Sequence, residues 1–124
     1  MSLLLDTHAL LWWLADTELT EEARDAIADP DRLVAMSAAS IWEIAIKREI
    51  GKLDAPDGAG GVAEAAGFDP LEITFAHAAA AGALPPHHRD PFDRMLVAQA
   101  RIEGLTIMTR DLAFAGYDVE VMVC

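Results

Sequence analysis

Cysteine is almost missing from this chain: one residue in 124, Cys124. With no partner it excludes an internal disulfide and any multi-cysteine metal site. Basic residues are scarce too, with 9 Lys and Arg against 21 Asp and Glu, a formal net charge of −12. That balance argues against nucleic-acid binding by general phosphate neutralisation. A nucleic acid would be approached only where a bound divalent cation reversed the local field, and a basic protein partner is the other use of such charge. Long apolar runs are absent, so no segment is expected to span a membrane. Nor does a positively charged leader precede an apolar signal core, which makes a cytoplasmic protein the expectation. There is no Gly-x-Ser-x-Gly elbow. Gly58-Ala59-Gly60-Gly61 follows a Pro-containing loop rather than a strand, so it does not read as a phosphate cradle. Nucleophilic catalysis and dinucleotide-dependent redox chemistry are therefore disfavoured.

What the chain does have is apolar content, 53% of residues, in short segments that suit one packed domain over residues 1–124. The most informative segment runs from His87 to Ala100 (His-His-Arg-Asp-Pro-Phe-Asp-Arg-Met-Leu-Val-Ala-Gln-Ala). Asp90 is a good N-cap, Pro91 suits the first helical position, and Gly104 suits the closing left-handed residue. Asp93 shares a helical stripe with Leu96, Val97 and Ala100. A carboxylate on a core-facing stripe requires a counter-charge, because an unpaired buried charge is costly.

Around it the pattern predicts alternating elements. Strands are expected at Ser2–Leu5, Arg32–Met36, Leu71–Ile73, Leu105–Met108 and within Asp118–Val123. Helices are expected at Ala9–Ala15, at Asp16–Asp29 with Thr20 as an N-cap, and from Ser37 or Ser40 to Ile50. Weaker helical signal lies around Val62–Ala66, and Thr74 caps an Ala-rich helix to about Ala83. The two indoles in Ala9–Ala15 are expected against a sheet or a partner. The alternation predicts an α/β fold, a three-layer α/β/α sandwich with a mainly parallel sheet of 4–5 strands.

Ligands of parallel sheets bind beyond the carboxyl ends of the strands. Asp6 and Asp111 follow two predicted strands, Asp90 and Asp93 start a helix, and Glu43 lies early in another. Each has an ordinary structural use. Asp6 and Asp90 suit helix N-caps, Asp93 favours a helix dipole, and Asp111 starts a turn. Glu43 suits a capping box with Ser40 or an i,i+4 pair with Lys47. Five carboxylates expected on one rim are more telling, because like charges repel unless a cation joins them, and hard Mg²⁺ or Mn²⁺ takes oxygen ligands. The histidines carry less. Adjacent His87 and His88 rarely both face one ion, His8 lies close to Asp6, and His77 suits a packed or partner-facing position.

Taken together, these segments resemble the PIN-domain ribonucleases, specifically the toxin component of VapBC-type toxin–antitoxin modules. The resemblance rests on Leu3-Leu4-Leu5-Asp6-Thr7-His8, on Ser37-Ala-Ala-Ser40-Ile-Trp-Glu43-Ile, on His88-Arg-Asp90-Pro-Phe-Asp93-Arg-Met-Leu-Val-Ala-Gln-Ala, and on Thr109-Arg-Asp111. It implies a metal-dependent endoribonuclease in which Asp6, Glu43, Asp93 and Asp111 are catalytic. Asp6, Asp90, Asp93 and Asp111 would hold one or two Mg²⁺ or Mn²⁺ ions, with Asp90 and Asp93 alternatives for direct contact. Thr7, Thr109 and Arg94 would support the site, with Arg89 and Arg110 also near the rim. The implied partners are an RNA substrate, a cognate antitoxin that places a basic residue near the acids, and a second copy in a homodimer or hetero-oligomer. The Trp12-Trp13 helix and the Ile41–Ile50 helix are the expected docking surfaces. Three other readings compete: a haloacid-dehalogenase-type phosphatase, which wants an aspartate where His8 stands; a receiver-like Mg²⁺-binding domain; and a non-catalytic acidic binding module.

Overall fold

The structure is a computed structural model that describes all residues from Met1 to Cys124. In chain order the elements are β1 (Leu3–Leu5), α1 (Thr7–Ala15), α2 (Glu21–Ala28), β2 (Val34–Ser37), α3 (Ala38–Glu49), α4 (Ala59–Ala65), β3 (Asp69–Leu71), α5 (Phe75–Ala83), α6 (Pro91–Glu103), β4 (Thr106–Thr109) and β5 (Val121–Val123), with a 3₁₀ turn at Leu112–Gly116 before the last strand. The five strands form one sheet in the order β3-β2-β1-β4-β5, and every neighbouring pair is parallel. The sandwich expected from the alternation is present. No helix is long and apolar enough to cross a membrane.

Parallel sheets need cover on both faces, and β1 shows how the sequence provides it. Successive strand side chains point to opposite faces. Leu3 and Leu5 join Leu10, Ala23, Ile27, Ile44 and Met108 on one side, whereas Leu4 joins Leu96, Val97, Ala100, Ile107 and Phe114 on the other. All three leucines are fully buried. The stripe predicted for the Asp90-capped helix is thus the inner face of α6. A buried polar bridge aligns α6 with the sheet: Ser37 donates to Gln99 Oε1 at 2.5 Å, and Gln99 Nε2 donates to the Glu72 carbonyl at 3.2 Å.

Several boundaries differ from the sequence expectation, each for a local reason. The expected strand at Leu71–Ile73 pairs two residues earlier, because Asp69 and Pro70 register with Ala35 and Met36 of β2. Pro70 is tolerated there because β3 is an edge strand. The second helix begins at Glu21 rather than Asp16, since Asp16 and Glu18 both have positive φ, 54° and 64°, and end the preceding helix. Thr20 caps it as expected. Of the two candidate serines, Ser37 caps α3, so Glu43 lies too deep in the helix to complete a capping box. Trp12 and Trp13 are half-buried within the protein's own packing: Trp13 meets Phe68 edge-on, and the Arg110 guanidinium lies 4.2 Å above the Trp12 ring.

His77 is fully buried. It completes a capping box with Thr74 at the start of α5 and bonds Glu103 at 2.9 Å.

Arg94 stands away from the role expected for it. Its guanidinium donates to the Ala81, Leu84 and Pro85 carbonyls at 2.9, 2.9 and 3.0 Å, and to the His88 carbonyl at 3.4 Å. These are carbonyls at the end of α5 and in the loop beyond it, so the side chain clamps that loop instead of facing the acidic rim. Arg94→Ala should lower unfolding stability by about 2–3 kcal/mol in a urea titration. Arg94→Lys should recover little of it, because an ammonium cannot reproduce the planar fork.

Candidate active site

The sheet order places β1 between strands whose connections run in opposite directions, and the crevice at such a switch point opens beyond the strands' carboxyl ends. Asp6 ends β1 and caps α1. Its Oδ1 accepts from the Ala9 amide at 2.8 Å and its Oδ2 from Thr109 Oγ1 at 2.6 Å. Thr109 ends β4 and also accepts from the Asp111 amide at 3.0 Å. Asp111 in turn caps the 3₁₀ turn through Oδ1, bonded to Ala113 N–H at 2.9 Å. Asp90 caps α6, with Oδ1 accepting from Phe92 and Asp93 at 2.8 and 3.2 Å. Capping and convergence are therefore not alternatives. A cap fixes one carboxylate oxygen on backbone N–H groups and so orients the other.

Glu43 enters from α3 and is buried despite its charge. Thr7 Oγ1 donates to Oε1 and Lys47 Nζ to Oε2, each at 2.5 Å. The hydrogen bond to Glu43 is the main cause holding the Lys47 ammonium above its ordinary pKa. On the same helix, one turn before Glu43, the buried Ser40 hydroxyl has no hydrogen-bond partner.

Asp93 is the most perturbed group. Its pKa is pushed up to about 7, first by burial and then by Asp90, with His88 acting in the opposite direction and Glu43 and Asp6 adding smaller increases. Burial likewise raises Asp6, against the opposing bonds from Thr109 and Ala9. The structure thus brings Asp6, Glu43, Asp90 and Asp93 into mutual electrostatic range. The tightest cluster is Asp93, Asp111 and His88, whose ligand-type atoms lie within 4.8 Å of one another.

His88 is the member that sequence reasoning set aside. The expectation that two adjacent histidines would not face the same place holds, since His87 turns its ring edge to Tyr117. His88 turns the other way, to Asp93 Oδ2 at 2.7 Å and Asp111 Oδ2 at 3.2 Å. Its position two residues before an N-cap aspartate is the only local signal for this. His8 is exposed beside Trp12. Arg110 is committed to the Cys124 and Glu18 carbonyls, and Arg89 is exposed without a hydrogen bond, so neither it nor Arg94 holds the carboxylates.

The donor chemistry suits a hard divalent cation. Carboxylates from four separate chain segments meet at the carboxyl edge of the sheet, Lys47 is bonded to one of them, and burial together with the neighbouring Asp90 keeps the Asp93 carboxyl protonated to near neutrality.

The family model for the PIN domain matches residues 3–120. The chain belongs to the PIN-domain family. The acids at the carboxyl ends of β1 and β4 and at the start of α6 are the candidate site of this PIN domain. No curated protein matches the chain in sequence. Among solved structures, this PIN domain is similar to VapBC2 from Rickettsia felis bound to a promoter DNA fragment, with a TM-score of 0.75, 11% identity, and coverage of 100% of this chain and 99% of that one. It is also similar to DNA-bound VapBC from Salmonella typhimurium, at a TM-score of 0.72 and 18% identity, covering 99% and 98%. A toxin–antitoxin complex from Klebsiella pneumoniae gives a TM-score of 0.69 and 22% identity, covering 98% and 96%. At these identities the likeness shows the shared fold.

Proposed function

We propose that this PIN domain is a Mg²⁺- or Mn²⁺-dependent endoribonuclease and the toxin of a toxin–antitoxin pair. The observation that carries the reading is the convergence of Asp6, Glu43, Asp93 and Asp111 in a crevice where the Asp93 carboxyl is pushed up to about 7. Membership of the PIN-domain family supports a nuclease, and the structural likeness to VapBC complexes supports the toxin role.

Asp6, Asp93 and Asp111 would hold the cation. Asp90, with one oxygen taken by two backbone amides, acts chiefly through its charge. When bound, the ion would supply positive charge to the scissile phosphate and lower the pKa of a coordinated water toward neutrality. Thr109 holds Asp6 in orientation, and Thr7 and Lys47 hold both oxygens of Glu43. Asp93 gives up its proton for the site to accept a cation. With Arg94 and Arg110 bonded to carbonyls, Arg89 is the rim arginine whose guanidinium is left free for an RNA backbone. Hydrolysis by in-line attack would leave a 5′-phosphate and a 3′-hydroxyl.

Exposed Trp42 and Ile46 on α3 and Ile50 at its C-cap, beside an apolar groove lined by Ile41, Ala63, Phe68 and Leu71, support α3 as the face for a protein partner. The Trp12-Trp13 helix is a weaker candidate because both indoles are half-buried.

Purified protein, freed of any partner, should cut a mixed RNA pool in Mg²⁺ or Mn²⁺ and not in EDTA, and end-labelling should find 5′-phosphates at the new ends. A folded chain that cuts nothing with either metal would overturn the reading in favour of a non-catalytic acidic module.

A further inference from the structure

His88 is held on every side. Its backbone amide donates to Tyr117 Oη at 2.9 Å, and Tyr117 Oη donates to the Pro85 carbonyl at 3.0 Å. Its ring meets Phe114 edge-on, with centroids 6.0 Å apart. The Arg94 clamp fixes the loop behind it. Nδ1 accepts from the Asp90 amide at 3.3 Å, which leaves the ring proton on Nε2. Nε2–H donates to Asp111 Oδ2 at 3.2 Å, and Asp93 Oδ2 lies 2.7 Å from the same nitrogen, at ion-pair distance.

A histidine that ligates a metal through Nε2 presents a lone pair there and donates its other N–H to an acceptor. Here the other nitrogen faces a donor. The ring gives its hydrogen bond to Asp111 and holds Asp93 at close range, where the two carboxylates would share a cation.

We propose that His88 is a positioning residue which bridges Asp93 and Asp111 in the metal-free protein and competes with the divalent cation for them. The proposal rests on the metal-site reading above. The bridge keeps two repelling carboxylates together without an ion, so the site is preformed. It also weakens cation binding, because the Nε2–H bond to Asp111 and the close Nε2 contact with Asp93 must be given up before the two carboxylates can turn to a metal.

The test is calorimetric titration of MgCl₂ and MnCl₂ into the full-length protein, His88→Ala and His88→Gln, with Mn²⁺ binding checked by electron paramagnetic resonance. His88→Ala should bind Mn²⁺ about tenfold tighter or more, the factor expected for losing a competing hydrogen bond to a charged group. His88→Gln keeps a side-chain N–H donor and should stay within a few-fold of the unmodified protein. In the unmodified protein, ¹⁵N spectra of the His88 ring should report loss of the Nε2–H bond on Mg²⁺ addition. Weaker binding by His88→Ala would overturn the proposal and make His88 a ligand. Equal affinities, with an unchanged ring spectrum, would leave it a packing role only. No binding of either ion by any of the three folded proteins would instead bring down the metal-site reading itself.

Discussion

Asp93→Asn should abolish metal-dependent RNA cleavage, with a fall of at least about 10²–10³-fold in single-turnover rate, the scale set by losing one group that stabilises developing charge. The choice of Asp93 over Asp6 follows from their surroundings. Both oxygens of Asp6 accept hydrogen bonds, from Ala9 N–H and Thr109 Oγ1, so an amide at that position would set a donor against a donor and disturb the start of α1. Asp93 accepts no backbone bond, and its close side-chain neighbour is His88 Nε2 at 2.7 Å, beside which an Asn carbonyl oxygen can still stand. The variant therefore removes charge with little change of shape. Circular dichroism should be unaltered, and binding to a protein partner on α3 should be mostly retained. Full cleavage by folded Asp93→Asn would remove Asp93 from the reaction.

The same substitution should stabilise the metal-free protein, and the gain should depend on pH. A carboxyl whose folded pKa is raised from 3.8 to about 7 binds its proton more tightly in the native state than in the unfolded chain. Its contribution is therefore most favourable below the unfolded value and is lost as pH rises through the folded one. Asn carries no such titration. In EDTA, the stability difference between Asp93→Asn and the unmodified protein should be near zero at pH 4. It should grow through pH 5–7 to about 2–4 kcal/mol at pH 8, equivalent to several degrees in Tm. Taking the difference cancels carboxylates remote from the site; Asp6, Asp90 and Glu43 interact with Asp93, and the relief they gain from its loss of charge adds in the same direction. Lys47 titrates above this window. Mg²⁺ should then narrow the gap by stabilising only the protein that retains Asp93. A gap that is flat between pH 4 and 8 would mean that Asp93 is not under the electrostatic pressure described. Both results would express one fact: a site that must hold several carboxylates together is stabilised by removing one of them.

Much of this was legible along the chain because it is written in local pattern. Asp90-Pro91 and Gly104 mark the ends of α6, Thr20 and Thr74 mark the starts of α2 and α5, and the alternation of short apolar strands with helices predicts a parallel sheet. The acids at strand ends and helix starts follow from the same signals, since a residue that caps a helix after a parallel strand stands at the carboxyl edge of the sheet. Arg94 was misread because its neighbours in sequence are acids, whereas its guanidinium reaches back to the carbonyls of α5.

Composition, capping and periodicity in the sequence alone thus determined the fold class and put acidic residues at the carboxyl edge of the sheet, while the motif segments carried the family resemblance. Tertiary structure alone decided their partners: that Thr109 holds Asp6 across 103 residues, that Thr7 and Lys47 divide Glu43 between them, and that His88 rather than His87 joins Asp93 to Asp111. Caps and periodicity depend on neighbours within a turn or two and can be read from a string of residues. Which side chains meet in a crevice depends on strand order and on how loops pack, and on the resulting burial, which raises the Asp93 pKa and exists only once the chain has closed around it.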